Sequence, residues 1–189
     1  MGRTKALLPD PDGRPFVARL VRTFNAAGVS AVTIVTGGQH AAIGAALRAD
    51  QPEAEPLLVV NPDPSRGQLS SLWVGLDAAD RPAVDALLVT LVDIPMVAPS
   101  TIRRVIAAWT THRAPIVRPA VGATHGHPVL FDRAVFDDLR RAPLTEGAKA
   151  VVHAYAGRVL DVPVDDRGCL IDVDTPQDYD ALMKEVRDR

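Results

Sequence analysis

Ala86-Leu87-Leu88-Val89-Thr90-Leu91-Val92-Asp93-Ile94-Pro95 is the stretch that decides the fold. The run 86–92 carries six apolar side chains, one threonine and no charge. A run of this kind reads as a strand buried on both faces, as strands of a parallel sheet are. Asp93 ends it. A carboxylate there must be exposed at the strand's carboxyl end or paired, because burying it alone is costly, and metal coordination is one way to satisfy it. Open α/β sheets hold their ligands at that end.

On either side, apolar strand patterns alternate with helical ones, as βαβ units building a mostly parallel sheet do. Upstream, the spacing predicts a helix over 16–27, with Phe16, Leu20, Val21 and Phe24 on one stripe and Gly28 as its C-cap. A strand follows at 31–35, a helix at 40–48 and a strand at 57–60. The loop Asn61-Pro62-Asp63-Pro64-Ser65-Arg66-Gly67 leads into a helix over 70–78, and loops before helix starts are where anions are held. Downstream, Ser100 is expected to cap a helix reaching residue 109. Strands are expected at 116–118, 128–131 and 159–164, and helices at 133–140 and 146–155. Thr175 is expected to cap a last helix, with Pro176 in its first turn, ending near residue 185.

With 189 residues, 47% of them hydrophobic and 23% charged, the chain is expected to form one domain over residues 1–189. Aromatic residues make up only 4%, so the core must rest on Val, Leu, Ile and Ala. A formal net charge of −2 argues against a duplex nucleic-acid partner, which needs concentrated Lys and Arg. No apolar run reaches the roughly 18 residues of a membrane span, and the N-terminus lacks a signal-peptide stretch. A cytoplasmic protein without a membrane partner is the expectation. The one cysteine, Cys169, reads as a buried small hydrophobe.

Besides Asp93, two stretches put polar groups near apolar strand ends. Lys5 precedes Ala6-Leu7-Leu8-Pro9, and a lone lysine there is on its own most simply a solvated charge. In Ile171-Asp172-Val173-Asp174-Thr175-Pro176, the alternate carboxylates Asp172 and Asp174 share one side of an extended segment. They either surround a cation or serve as an N-cap with its first turn. If Asp93 converges with one of them, the oxygen ligands suit Mg²⁺, with substrate phosphates completing the shell. His125-Gly126-His127-Pro128 is a poor zinc pattern, because no other nitrogen or sulfur ligand lies nearby. Ser70-Ser71 lacks the nucleophile elbow of a hydrolase. The glycine fingerprints of dinucleotide and P-loop sites are missing as well.

Taken in order, these stretches resemble the MobA-like NTP transferases, and among them the molybdenum cofactor cytidylyltransferases. Met1-Gly2-Arg3-Thr4-Lys5-Ala6-Leu7-Leu8-Pro9 is similar to the end of the family's Gly-rich N-terminal signature, in which the lysine contacts the triphosphate. Gly67-Gln68-Leu69-Ser70-Ser71-Leu72, with Asn61, resembles the segment near the nucleotide base. Leu91-Val92-Asp93-Ile94-Pro95 resembles the Gly-Asp-x-Pro motif that supplies a Mg²⁺ ligand. Gly126-His127-Pro128-Val129-Leu130-Phe131 resembles an acceptor-side segment. Asp172-Val173-Asp174-Thr175-Pro176-Gln177-Asp178 resembles the stretch whose acidic residue before Thr-Pro completes metal binding.

The resemblance implies a three-layer Rossmann-like nucleotidyltransferase fold and transfer of a nucleoside monophosphate, CMP from CTP, to a phosphorylated acceptor, molybdopterin. By position it implies Lys5, Asp93 and Asp174 as catalytic, with Asp172 as a further metal ligand. It places Gly2, Lys5, Asn61, Gly67, Ser70 and Ser71 around the nucleotide, and Gly126, His127 and Pro128 at the acceptor. It also implies Mg²⁺ as cofactor and contact with a molybdoenzyme or chaperone. The alternatives are a non-catalytic nucleotide-binding domain, or transfer to another phosphorylated metabolite such as a sugar phosphate or phospholactate. Three departures bear on these expectations. The family's first strand and most of its Gly-rich loop would precede Met1, so the chain reads as truncated relative to the family, with a gap in its core. Val92 stands where the family has glycine. Leu144-Thr145-Glu146-Gly147-Ala148-Lys149 keeps only Gly147 and Ala148 of the family's Gly-Asp-x-Gly-Ala-Arg.

Overall fold

The computed structural model describes residues 4–29, 31–50, 52 and 55–187. Its strands are β1 (Thr33–Thr36), β2 (Leu57–Val60), β3 (Ala86–Val89), β4 (Ile116–Val121), β5 (Thr124–His125), β6 (Val129–Asp132) and β7 (Val159–Pro163). The α-helices are α1 (Phe16–Ala26), α2 (His40–Asp50), α3 (Gln68–Ala79), α4 (Pro99–His112), α5 (Phe136–Arg141), α6 (Ala148–Ala154) and α7 (Pro176–Arg187).

β1 and β2 pair in parallel. β4 pairs with β7 in parallel, and β6 runs antiparallel between β3 and β4. β3, β4 and β7 therefore all run the same way, with β6 reversed among them. β5 folds back on β4 as a short hairpin. Among the described residues no strand links the β1–β2 pair to the larger sheet.

Side-chain alternation builds three layers. Ala86, Leu88, Val117 and Leu130 pack with Leu20 and Phe24 of α1 and Ile102 and Val105 of α4. Leu87, Val89, Ile116 and Phe131 face the other way, onto Leu69 and Leu76 of α3, Phe136 and Leu139 of α5, and Val151 of α6. Neighbouring residues on a strand serve opposite layers, as the two-residue period requires. A third cluster seats Val17 and Val21 of α1 and Ile43 and Leu47 of α2 against Ile34 and Leu58.

Three expectations need correction. The strand expected over 86–92 ends at Val89, and all four of its residues are only half-buried. Among the described residues its one ladder partner is β6, and its other edge is unpaired. Ser100 does not cap α4. The cap position is Ala98, followed by Pro99, and the carboxylate of Asp166 does the capping. Its Oδ2 accepts from the Ala98 backbone N–H at 2.8 Å and the Thr101 hydroxyl at 2.7 Å. The strand expected over 128–131 begins at Val129 rather than at Pro128, and β5 precedes it as an additional short strand.

Thr175 behaves as expected. Its hydroxyl accepts from the Asp178 backbone N–H at 3.1 Å, and Asp178 Oδ2 accepts from the Thr175 N–H at 2.8 Å. This reciprocal pair is a capping box at the start of α7.

Candidate functional site

Asp93 lies in the turn that follows β3. Its backbone carbonyl accepts from the Val173 N–H at 2.8 Å, which fastens segment 171–174 beside the strand end. Val173 is fully buried against Phe16 and Leu182. With Val173 turned inward, the alternation of an extended segment sends Asp172 and Asp174 outward, and both are exposed. Asp178 Oδ2 also accepts from the Asp174 N–H at 3.2 Å, so the cap of α7 holds the backbone of the acid segment. One carboxylate oxygen from each of Asp93, Asp172 and Asp174 falls within 4.8 Å of the others.

Lys5 reaches this cluster from a short 3-10 turn, Lys5–Leu7. Its Nζ lies 3.1 Å from Asp93 Oδ2 and also donates to Asp174 Oδ1. Burial works against the ammonium form, but hydrogen bonds to Asp174 and Asp93 and their negative charge hold the Lys5 pKa above its ordinary value. Asp172 shifts upward too. Burial is the main cause, and the charges of Asp93 and Asp174 add to it while Lys5 partly offsets them.

Asp93 Oδ1 is buried and accepts no hydrogen bond among the described residues. Such an oxygen is costly unless something satisfies it. Three converging carboxylates, one of which carries an orphaned oxygen, suit a hard divalent cation, which takes oxygen donors. The donor set and the orphan together fit a Mg²⁺-like ion.

His127 lies on the same side. Its Nδ1 donates to the Val89 carbonyl at 3.4 Å, at the end of β3. Burial lowers its pKa, outweighing that bond and the opposing pull of the Asp93 and Asp172 charges. The ring is therefore neutral at neutral pH, with the proton on Nδ1 and Nε2 left as an acceptor. Gly126 and His127 are clamped on both sides. Gly126 N–H donates to the Pro119 carbonyl at 2.8 Å and His127 N–H to the Cys169 carbonyl at 2.9 Å. Any side chain at 126 would collide there, since a Cβ would sit 2.6 Å from both the Cys169 oxygen and its Sγ. Pro128 follows through a cis peptide bond.

The expected nucleotide residues fall into two sets. Asn61 and Ser70 are each only 4% exposed. Asn61 Nδ2 donates to Ser70 Oγ at 2.8 Å and to Ser71 Oγ at 3.0 Å, its Oδ1 accepts from the Asp63 N–H at 3.0 Å, and Ser70 Oγ donates to the Gly67 carbonyl at 2.7 Å. These side chains hold the loop in shape and have little capacity left for a ligand. Gly67, at φ 87°, makes the turn into α3, and Ser71 is half-buried. Gly2 lies outside the described residues.

His125 pairs with Asp161 at 3.2 Å on the surface, whereas His127 is drawn toward Val89, so the two imidazoles have different partners. Cys169 is fully buried, and desolvation raises its thiol pKa to about 11, which makes it inert. Two further residues, Asp166 and Asp178, hold caps that sequence reasoning did not assign to them. The Thr-x-x-Asp spacing signals Asp178, but nothing local signals the reach of Asp166 to α4.

The MobA-like NTP transferase domain family matches residues 1–159. The crystal structure of Rv0371c from Mycobacterium tuberculosis superposes with a TM-score of 0.78 at 29% identity, over 97% of this chain and 91% of that one. A structure of Rv0371c in complex with manganese superposes with a TM-score of 0.73 at 30% identity, over 97% of this chain and 93% of that one. Among characterised proteins, the purine catabolism protein PucB of Bacillus subtilis is 27% identical over 192 residues, covering 98% of this chain and 91% of PucB.

Proposed function

We propose that this chain, which belongs to the MobA-like NTP transferase family, acts over residues 1–189 as one catalytic domain that moves CMP from CTP onto a phosphorylated acceptor of the molybdopterin type. An acceptor phosphate oxygen attacks the α-phosphorus in line, the bond to the β-phosphate bridging oxygen breaks, and pyrophosphate leaves. Such transfers depend on positioning and charge stabilisation more than on covalent work by the protein.

The observation that carries the proposal is the convergence of the Asp93, Asp172 and Asp174 carboxylates, beside an Asp93 Oδ1 that has no partner among the described residues. Asp93 and Asp174 would hold Mg²⁺, with Asp172 completing the set. When bound, the ion supplies Lewis-acid charge at the α-phosphate. Lys5, rooted beside the cluster, neutralises charge on the leaving pyrophosphate. The Gly67 turn and the Asn61-Ser70-Ser71 network shape the loop at the start of α3, where backbone N–H groups meet an anionic ligand. His127, neutral and clamped, offers Nε2 to a donor on the acceptor side. CTP and molybdopterin rest on the likeness of Ser70-Ser71 and Gly126-His127-Pro128 to the cytidylyltransferase branch.

The test is the melting temperature of the chain with CTP, GTP, ATP and UTP, each with and without Mg²⁺, followed by pyrophosphate release in the presence of molybdopterin. A ligand that binds only the folded state raises the melting temperature. A shift selective for CTP and dependent on Mg²⁺, followed by release only with acceptor, is the expected result. Selectivity for another nucleotide would overturn the CTP assignment, and binding of CTP without turnover would leave a nucleotide-binding domain.

A further inference from the structure

Lys5 and a divalent ion claim the same two carboxylates. The Lys5 ammonium contacts Asp93 Oδ2 and Asp174 Oδ1. Those carboxylates also belong to the triad that can close on a cation. An ion seated there would face a like charge at contact distance, a repulsion that remains large in a part-buried site. The two cations therefore cannot share the cluster.

The backbone beneath Lys5 is fixed. Leu8 N–H donates to the Lys5 carbonyl and Leu7 N–H to the Thr4 carbonyl, each at 3.0 Å. Ala6 is buried in the cluster formed with Val17, Ala18 and Val21. Only the flexible stem of Lys5 can move, and the side chain is 28% exposed, so it has a route out. Asp93 Oδ1 has no partner among the described residues while the ammonium is in place on Oδ2. The lysine is thus an incomplete substitute for an ion that would engage the whole triad.

We infer that Lys5 is a tethered counter-cation which closes the acidic cluster in the nucleotide-free protein and must swing out for a divalent ion to enter. Expelled, the ammonium is free to meet the polyphosphate. The triphosphate in turn draws it away from the carboxylates and opens the metal position. Each ligand therefore strengthens the binding of the other, and the coupling is reciprocal. Metal alone meets a closed site. The inference rests on the metal reading of the cluster proposed above.

Titration of the full chain with Mn²⁺ alone, read by calorimetry and by the paramagnetic signal of free Mn²⁺, tests it in the absence of nucleotide. Lys5→Met keeps the stem and removes the charge, and Lys5→Gln serves as a second variant. Both are expected to bind Mn²⁺ at least roughly tenfold more tightly than the wild type, because a competing charge is gone. Thermal melts establish that each variant is folded. Unchanged or weaker Mn²⁺ binding in both folded variants, beside measurable binding by the wild type, overturns the exchange and leaves the metal site standing. Saturable binding by none of the three proteins, or binding that Asp93→Asn does not weaken, overturns the metal reading and the exchange together.

Discussion

Two clusters of aspartates in this molecule are built from the same residue types and behave in opposite ways. Between α3 and α5, Asp77, Asp80 and Asp137 meet Arg133 and Arg140. Asp80 takes Arg133 on one oxygen and Arg140 on the other, each at 2.6 Å, while Arg140 also bonds Asp77 at 3.2 Å and Asp137 at 3.1 Å. At the end of β3, Asp93 and Asp174 share the ammonium of Lys5, Asp172 lies beside them, and one buried oxygen has no partner among the described residues. The electrostatic outcomes diverge. The hydrogen bond from Arg140 holds the Asp80 carboxyl below its usual range, with the Arg133 charge reinforcing it against desolvation. Burial and neighbouring carboxylates push Asp172 upward. A satisfied cluster stabilises the fold, whereas an under-neutralised one keeps a place for a cation that the fold does not supply.

Asp93→Asn breaks the comparison most sharply. Removing the half-buried carboxylate that anchors the triad is expected to lower turnover by about a hundredfold or more, the scale seen when one preorganised charge-stabilising group is lost. The melting temperature should hold or rise, because the change relieves repulsion among like charges. Pyrophosphate release and a thermal melt on one preparation read both quantities. A variant that keeps its activity and melts early would mean that Asp93 belongs to the structural kind of cluster.

Asp174→Asn should have a smaller effect. The side chain is 65% exposed, and solvent can replace part of what it provides. Turnover is expected to fall about tenfold, with a rise in the Mg²⁺ concentration needed for half-maximal rate. If the loss equalled that of Asp93→Asn, the two carboxylates would be acting as an indivisible unit.

Much of this contrast can be read along the chain, and the unreadable part has a physical cause. The six apolar residues of 86–92 announce a strand, and Asp93 closing it announces a polar site at the strand end. The alternation Asp172-Val173-Asp174 and the Thr175 to Asp178 spacing announce an outward acid pair and a helix cap. All of these are local patterns with a period of two or three residues. The pairing of Lys5 with Asp93 spans 88 positions and with Asp174 spans 169, so no spacing rule reveals it. Asp166 capping α4 from 68 positions away is hidden for the same reason. The half-buried state of Ala86–Val89 is equally illegible, because it depends on which strands lie alongside. Asn61 and Ser70 show the converse limit. The family resemblance places them at the nucleotide, and what no sequence pattern shows is that both are buried and that Asn61 donates to Ser70.

The smallest expected effect comes from Asp80→Asn, and it sharpens the comparison from the structural side. Its partners lie on α5 and the turn before it, remote in the chain from the acid segment, so turnover and Mn²⁺ binding should match the wild type. Its contribution to stability carries a definite pH sign. The folded Asp80 pKa is depressed below the ordinary carboxylate value, so the stabilising interaction is fully present above that ordinary value. It is lost as the pH falls through the lower, folded pKa, where the carboxylate protonates and releases Arg133 and Arg140. The wild type should therefore melt above Asp80→Asn at neutral pH, with the gap narrowing on acidification from the ordinary carboxylate range downward. Exposed ion pairs contribute little and are screened by salt, so the gap should also shrink at high ionic strength. Asp172 moves in the other direction. Its folded pKa is raised, so its ionisation strains the folded state, and that strain is relieved as pH falls through the folded pKa toward the unfolded one. Melting curves of wild type, Asp80→Asn and Asp172→Asn across acidic pH should accordingly separate the two clusters. The Asp80 variant converges with the wild type from below, and the Asp172 variant converges from above.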